Sequence, residues 1–192
     1  MIVYAVKKTK EYYEMTSPGD LSNPFFRTCA THVLEQESGN SLREWGAKHF
    51  VFDGRPCLLV MNFASKLTFV LINFRPDDID SLADLIKAYM ENLYDGDRKM
   101  LRCVERYFKE QTAVCFETLK DKSIIASLNS TLSYFLEDGY RLADYIKNGI
   151  MHSKDLNRDI NRYPVTKKVN GKAEYILPGE EFRRLLTEHY SV

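Results

Sequence analysis

Three short apolar segments separated by tight turns constrain the fold of this chain more than any other feature. The segments KHFVF, CLLVMNF and LTFVLINF lie within residues 48–74 and are separated by DGRP and ASK. Such connections join antiparallel neighbours, so the sequence predicts an antiparallel β-meander over about residues 45–74. Because the second and third segments are apolar at nearly every position, we expect those strands to be central and covered on both faces.

Further strands and several amphipathic helices are predicted around the meander. Residues 2–6 (IVYAV), 112–119 (TAVCFETL) and the hairpin at 165–177 (VTKKVNGKAEYIL) have strand composition, and Asn170-Gly171 suits a type I′ turn. Helical patterns begin near residues 76, 98, 121 and 178. Since helices and strands are mixed and most strands are hairpin-linked, we predict an α+β fold rather than a doubly wound parallel sheet.

Length and charge limit the classes of protein to consider. The chain has 192 residues, of which 44% are hydrophobic and 28% charged, as in an ordinary globular protein. We expect one globular domain over 1–192, with a C-terminal hairpin–helix appendage from about residue 153 as the alternative. Basic and acidic residues both number 27, so the net charge is zero. A neutral chain disfavours bulk nucleic-acid binding as the main task, because such binding requires a cationic surface.

The sequence predicts a cytoplasmic protein that does not associate with a membrane. Four well-separated cysteines are interpreted as free thiols in a reducing compartment. The first residues, MIVYAVKKTK, are predicted to be a strand rather than a secretory signal. No apolar run approaches the roughly 20 residues that a membrane-spanning helix needs.

No catalytic or cofactor motif is recognisable. Cys29 and His32 have half of a zinc-like spacing, but no second pair follows. There is no Gly-rich phosphate loop and no G-x-S-x-G elbow. The aspartates near residue 77 are interpreted as helix-capping groups. We therefore predict no catalytic residue, no metal site and no cofactor, and enzymatic activity is not favoured.

The segment DKSIIASLNSTLSYFLEDGYRL, at residues 121–142, predicts a helix with two different faces and a break near Gly139. The core-facing stripe consists of Ile125, Leu128, Leu132 and Phe135. The second face, hereafter the serine face, consists of Ser123, Ser127, Ser130 and Tyr134. Serine does not favour helix interiors, and a solvated face more often carries Glu, Lys or Gln. Small polar side chains suit the close approach of another strand, another subunit or a ligand.

Two stretches resemble a bacterial family of unknown function, DUF6933. They are EWGAKHFVFDGRPCLLVMNFASKLTFVLI and FETLKDKSIIASLNSTLSYF, and the later LNR…YP and YILPGEEFRRLL segments are similar to the end of the family pattern. The shared features fall on Trp45, Arg55, Cys57–Leu59, Asn62–Ala64, Thr118, Lys122, Ser123 and Ser127–Asn129. Lys48 and Ala126 depart from the Asn and Gly expected there. The resemblance implies a bacterial source, but it assigns no catalytic residue.

A candidate ligand site follows from the helix at residue 121. It consists of Trp45, Arg55, Lys122, Ser123, Ser127 and Asn129. Free N–H groups at the helix start favour an anion, and Arg55 and Lys122 add positive charge. Trp45 is interpreted first as a residue covering the core and second as a ring that stacks on a ligand.

Three hypotheses for function remain open. The first is a non-catalytic binding or regulatory module for a protein partner or a small anionic ligand. The second is an enzyme with a site assembled around Arg55, Lys122, Ser123 and Asn129, completed by a histidine, His49 or His152. The third is a nucleic-acid-associated accessory protein.

The third hypothesis rests on a basic segment. Its residues are Lys154, Arg158, Arg162, Lys167, Lys168 and Lys172. Such a patch suits nucleic acid or an acidic partner. We favour the simpler interpretation that these lysines protect an edge strand from aggregation. The stretch 77–97 is acidic and complements this basic segment. Pairing between two copies of the chain, and hence homo-oligomerisation, therefore also remains open.

Overall fold

The chain folds around a five-stranded mixed sheet. A computed structural model describes residues 1–110, 113–136, 141–169 and 172–190. The strands of the sheet are β1 (Ile2–Ala5), β2 (Glu44–Phe52), β3 (Arg55–Asn62), β4 (Thr68–Ile72) and β5 (Cys115–Thr118). Their order across the sheet is β4-β3-β2-β1-β5. The meander β2-β3-β4 is antiparallel, as predicted, whereas β1 runs parallel to both β2 and β5.

Helices and two small hairpins complete the described part of the chain. The helices are α1 (Lys7–Tyr12), α2 (Pro24–Glu37), α3 (Leu82–Leu93), α4 (Arg98–Lys109), α5 (Lys122–Leu136), α6 (Arg141–Asp144), α7 (Ser153–Ile160) and α8 (Pro178–Tyr190), with 3₁₀ turns at Pro18–Asp20 and Pro76–Ser81. The hairpins pair β6 (Ile146–Lys147) with β7 (Ile150–Met151) and β8 (Val165–Val169) with β9 (Lys172–Ile176). The predicted α+β class is confirmed.

The two faces of the sheet bury separate cores because successive strand residues point to opposite sides. On one face, Trp45, Val60 and Phe69 pack with residues of α3, α4 and α8. On the other face, Leu59 and Val70 pack with residues of α5 and α7. Within the described residues, no helix is both long enough and apolar enough to cross a membrane.

The prediction that β4 is a central strand is wrong. It lies at the edge of the sheet, where its backbone is covered by two asparagines of the α7 segment. Asn157 accepts a hydrogen bond from Val70 N–H (2.6 Å) and donates one to Val70 O (2.9 Å). Asn161 makes the same pair of bonds with Thr68, at 2.8 and 2.7 Å. Side-chain amides thus replace a neighbouring strand, which is why an apolar strand is tolerated at the edge.

Residues after 153 contribute to both cores. Leu156 and Ile160 of α7 belong to one core, and Phe182 and Leu186 of α8 belong to the other. The β8–β9 hairpin is joined to α8 by the Lys167–Glu181 ion pair at 2.9 Å. The predicted Asn170-Gly171 turn and the predicted break at Gly139 lie outside the described residues.

Candidate functional site

Helix α5 lies along β2 because Gly46 leaves no side chain between them. A Cβ atom at Gly46 would lie 2.6 Å from Cγ2 of Ile124 and 3.3 Å from Cδ1 of Leu128. Ile124 is therefore buried, whereas Ile125, which the predicted stripe placed in the core, is only partly buried. Ile124 and Leu128 thus face β2, whereas Ser123, Asn129 and Ser130 are exposed.

The expected free N–H groups at the start of α5 are already used. Oδ1 of Asp121 accepts hydrogen bonds from the backbone N–H groups of Ser123 (2.7 Å) and Ile124 (3.2 Å) and from the Ser123 hydroxyl (2.7 Å). The Ser123 hydroxyl bond is the main reason that the pKa of the Asp121 carboxyl lies below its usual value. The Asp121 carboxylate thus occupies the position at which an anionic ligand was expected.

Trp45 lies on the opposite face of the sheet from α5. Its ring is fully buried, stacks near Phe69 with centroids 6.3 Å apart, and donates from Nε1 to the Tyr107 hydroxyl at 3.1 Å. The structure therefore places Trp45 in the core and does not bring it to the serine face.

Arg55 is also separated from the start of α5. The exposed Arg55 pairs with Phe52 at the end of the β2–β3 hairpin, whereas Ile124 packs at Gly46. From Gly46 to Phe52, six residues along β2 span about 20 Å. Arg55, at the Phe52 end, therefore lies far from Lys122 and Ser123, which are at the Gly46 end. Asn129 is exposed and accepts a hydrogen bond from Lys48. Of the six candidate ligand residues, Ser127 alone lines the cleft described next.

The serine face borders a cleft of about 540 Å³, hereafter the Lys66 cleft. Its walls come from α5, from the edge of β3 and β4, and from the segment that joins α7 to β8. The described lining residues are Met61, Lys66, Thr68, Ala126, Ser127, Ser130, Thr131, Tyr134, Phe135, Ile160, Tyr163, Pro164, Val165, Thr166 and Pro178. This volume is typical of sites for small molecules. Of the predicted serine face, Ser127, Ser130 and Tyr134 line the cleft.

Lys66 is held in the cleft by the turn between β3 and β4. Its backbone has a φ of 62°, a left-handed conformation that lysine rarely adopts. The buried side chain of Asn62 supports this turn, donating to Leu42 O (2.9 Å) and accepting from the Ser65 hydroxyl (3.0 Å). A strained conformation held by a buried hydrogen-bond network fixes where the lysine side chain begins.

Lys66 is a largely buried residue whose amine has no partner within the described part of the chain. The residue is only 9% exposed, and no hydrogen bond or ion pair to its amine occurs within the described part of the chain. Burial lowers its pKa, partly offset by the negative charge of Asp121. Since a partly desolvated cation gains from a counter-charge, this unpaired amine is the strongest indication of a ligand in the cleft.

Hydroxyl groups and aromatic rings surround the lysine. The Ser127 hydroxyl donates to Ser123 O (2.9 Å) and the Thr68 hydroxyl donates to Lys66 O (2.8 Å), which leaves their oxygen lone pairs able to accept. The rings of Tyr134 and Tyr163 meet edge to face, with centroids 6.3 Å apart, and form one wall. The cleft therefore combines one cation, several hydroxyls and apolar surface.

The residues of the predicted basic segment do not all act as free cations. Lys167 is paired with Glu181, and Arg158 lies 3.6 Å from Asp155. Lys154, Arg162 and Lys172 are exposed on α7, on the turn after it and on β9. The side chain of Lys168 lies outside the described residues.

Groups that support other chemistry are scattered or buried. Burial raises the pKa of the Cys57 and Cys115 thiols, which makes both poor nucleophiles. His49 contacts the Tyr13 hydroxyl at 3.2 Å, stacks on the ring of Tyr12 and does not line the Lys66 cleft. Across the ranges that the structure describes, no three His, Cys, Asp or Glu side chains are grouped to hold a metal ion.

Sequence reasoning missed Lys66 for a simple reason. A lysine in the short ASK connection is expected to be solvated, because turns usually lie on the surface. In the fold, this turn lines a cleft together with α5 and the 161–166 segment, and the lysine is only 9% exposed. The available signal was the serine face, which indicated that something approaches α5 on that side.

Comparison with known proteins gives a family and no activity. A family model described as "Domain of unknown function (DUF6933)" matches residues 20–181. The matched range includes every lining residue of the Lys66 cleft. No curated protein matches the chain.

Proposed function

Because the chain belongs to the DUF6933 family, whose description states no activity, we propose its function from the geometry of the Lys66 cleft. The protein is a non-catalytic binding module that holds a small anionic ligand against Lys66. We also propose that it acts in the cytoplasm, where four free cysteines remain reduced.

The side chain of Lys66, which is largely buried in the cleft and whose amine has no partner within the described part of the chain, is the observation that carries this proposal. An ionised amine removed from water destabilises a fold unless a counter-charge or hydrogen bonds compensate it. Asp121 influences its pKa but forms no ion pair with it. A ligand carboxylate, sulfonate or phosphate oxygen would supply the missing counter-charge and hydrogen bond, and would therefore stabilise the charged Lys66 amine.

Binding is better supported than catalysis. Among the described lining residues there is no histidine, carboxylate or thiol that could act as a base or a strong nucleophile. The cleft hydroxyls of Ser127 and Thr68 donate to backbone carbonyls instead of to a base. Such hydroxyls position a ligand by hydrogen bonding and do not activate it.

Filling the cleft tests this proposal. We expect 8-anilinonaphthalene-1-sulfonate, an anionic probe with an apolar body, to bind the native protein at one saturable site measured by calorimetry. Ala126 lines the cleft from α5 and is exposed, so Ala126→Trp should fill the space without disturbing either core. The variant should show no saturable binding of the probe.

Lys122→Trp is the matched control. It places the same large side chain on the same helix, but Lys122 is exposed and does not line the cleft. This variant should bind the probe as the native protein does. Equal binding by native, Ala126→Trp and Lys122→Trp proteins would contradict the proposal, because the probe would then occupy another surface.

A further inference from the structure

We infer that the Lys66 cleft selects a carboxylate with a single negative charge and an apolar body, in preference to phosphate esters and to neutral molecules. This inference deepens the proposed function and rests on it. It concerns the class of ligand and depends on the charges, helix termini and apolar groups that surround the cleft.

The charge of the cleft matches one negative charge. Of the fifteen described lining residues, Lys66 alone carries a charged side chain. Lys167 is the other cation that influences the pKa of Lys66, and its charge is compensated by Glu181 at 2.9 Å. A doubly charged head group would leave one charge without a partner in a partly buried site, which is unfavourable.

The start of α5 does not offer the groups that proteins use for phosphate, and no arginine is among the described lining residues. Phosphate sites commonly use free N–H groups at a helix N-terminus, a backbone nest or a forked arginine. The start of α5 is capped by Asp121, whose carboxylate accepts from two backbone N–H groups.

The rest of the cleft suits an apolar body with a hydrogen-bonding end. Lys66, Thr68 and Ser127 provide polar groups where β4 and α5 meet. Apolar lining comes from Met61, Ala126, Phe135, Ile160, Pro164, Val165 and Pro178. A carboxylate accepts from the amine and from hydroxyls, while the body of the ligand covers apolar surface and the edge of the tyrosine pair.

Three matched probes test this choice. Naphthalene-2-carboxylate, naphthalene-2-carboxamide and 2-naphthyl phosphate share one body and differ in head group. By titration calorimetry at pH 8, the carboxylate should bind about 10-fold or more tightly than the neutral amide, because only the carboxylate forms a charged hydrogen bond with Lys66. It should also bind more tightly than the doubly charged phosphate.

Lys66 variants link this preference to the amine. Lys66→Asn removes the charge with a residue that tolerates positive φ, so the turn should keep its conformation. Its carboxylate affinity should fall about 10-fold or more, to that of the amide. Lys66→Arg should retain most of the affinity. Lys122→Gln, which removes an exposed lysine at the start of α5 that does not line the cleft, should have no effect. Circular dichroism melting verifies that each variant is folded.

The outcomes separate this inference from the proposed function. If the phosphate or the amide binds as tightly as the carboxylate and Ala126→Trp abolishes the binding, the ligand class is wrong while the binding cleft stands. If the carboxylate does not bind at millimolar concentration while the sulfonate probe does, the ligand class is again wrong. If Ala126→Trp leaves the binding of every probe unchanged, both proposals fail.

Discussion

Asn157 and Asn161 show how much single side chains contribute to this fold. Each is almost completely buried, and together their amides satisfy four backbone groups at the edge of β4. Asn161 also donates to Asn157 O (2.8 Å) and accepts from Gly179 N–H (3.0 Å) through its backbone carbonyl. The two residues thus connect the sheet edge, α7 and the start of α8.

Asn157→Ala should destabilise the protein by about 2–4 kcal/mol, because it leaves the N–H and C=O groups of Val70 buried without partners. Urea unfolding followed by circular dichroism measures the change. Lys154→Ala, at an exposed position of the same helix, is the control and should change stability by less than about 0.5 kcal/mol. A similarly small effect of Asn157→Ala would contradict this role.

At the scale of elements, the contact between α5 and β2 positions the serine face. The contact is close because Gly46 presents only backbone to Ile124 and Leu128. Asp121 caps the start of α5, and Lys48 bonds Asn129 farther along it. Since α5 is held on one side by the sheet, its opposite side is left to line the Lys66 cleft.

Gly46→Ala should cost about 1–3 kcal/mol of stability, because the new methyl group would overlap Cγ2 of Ile124. Ile124 is β-branched and cannot easily rotate that methyl away. In an Ile124→Ala background the same substitution should cost much less, since the overlapping atom is absent. A double-mutant cycle by urea unfolding measures this coupling, and additive effects would argue against the close contact.

At the scale of the whole molecule, one tryptophan reports on several parts of the chain. Trp45 lies in β2, contacts Tyr107 of α4 and meets the ring of Phe182 of α8 at 6.3 Å. Its fluorescence should therefore respond when α8 separates from the sheet. Both cores contain residues from before and after residue 153.

We predict that Trp45 fluorescence and far-ultraviolet circular dichroism follow one transition in urea, because the elements after residue 153 share their cores with the sheet. Leu186→Ala, which truncates a fully buried residue of α8, should lower stability by about 2–5 kcal/mol with both signals still coincident. Two separate midpoints would instead indicate that the C-terminal hairpin and helix form an independent unit.

Local pattern was sufficient for most elements. The meander, the first strand, α8 and the β8–β9 pairing all follow from residue type, spacing and turn chemistry, which act over a few positions. The serine face was also readable, because helical spacing alone separates Ser127 and Ser130 from Leu128 and Leu132.

Tertiary structure alone decided which distant segments meet. The parallel pairing of β1 with β2 and β5, the cover of β4 by Asn157 and Asn161, and the burial of Lys66 all join residues far apart in the chain. Periodicity determines which side of an element is apolar, but it carries no information about which other element covers that side. The sequence by itself therefore indicated that something approaches the serine face of α5. Only the packing of distant segments decided that Lys66 lies in the cleft beside that face.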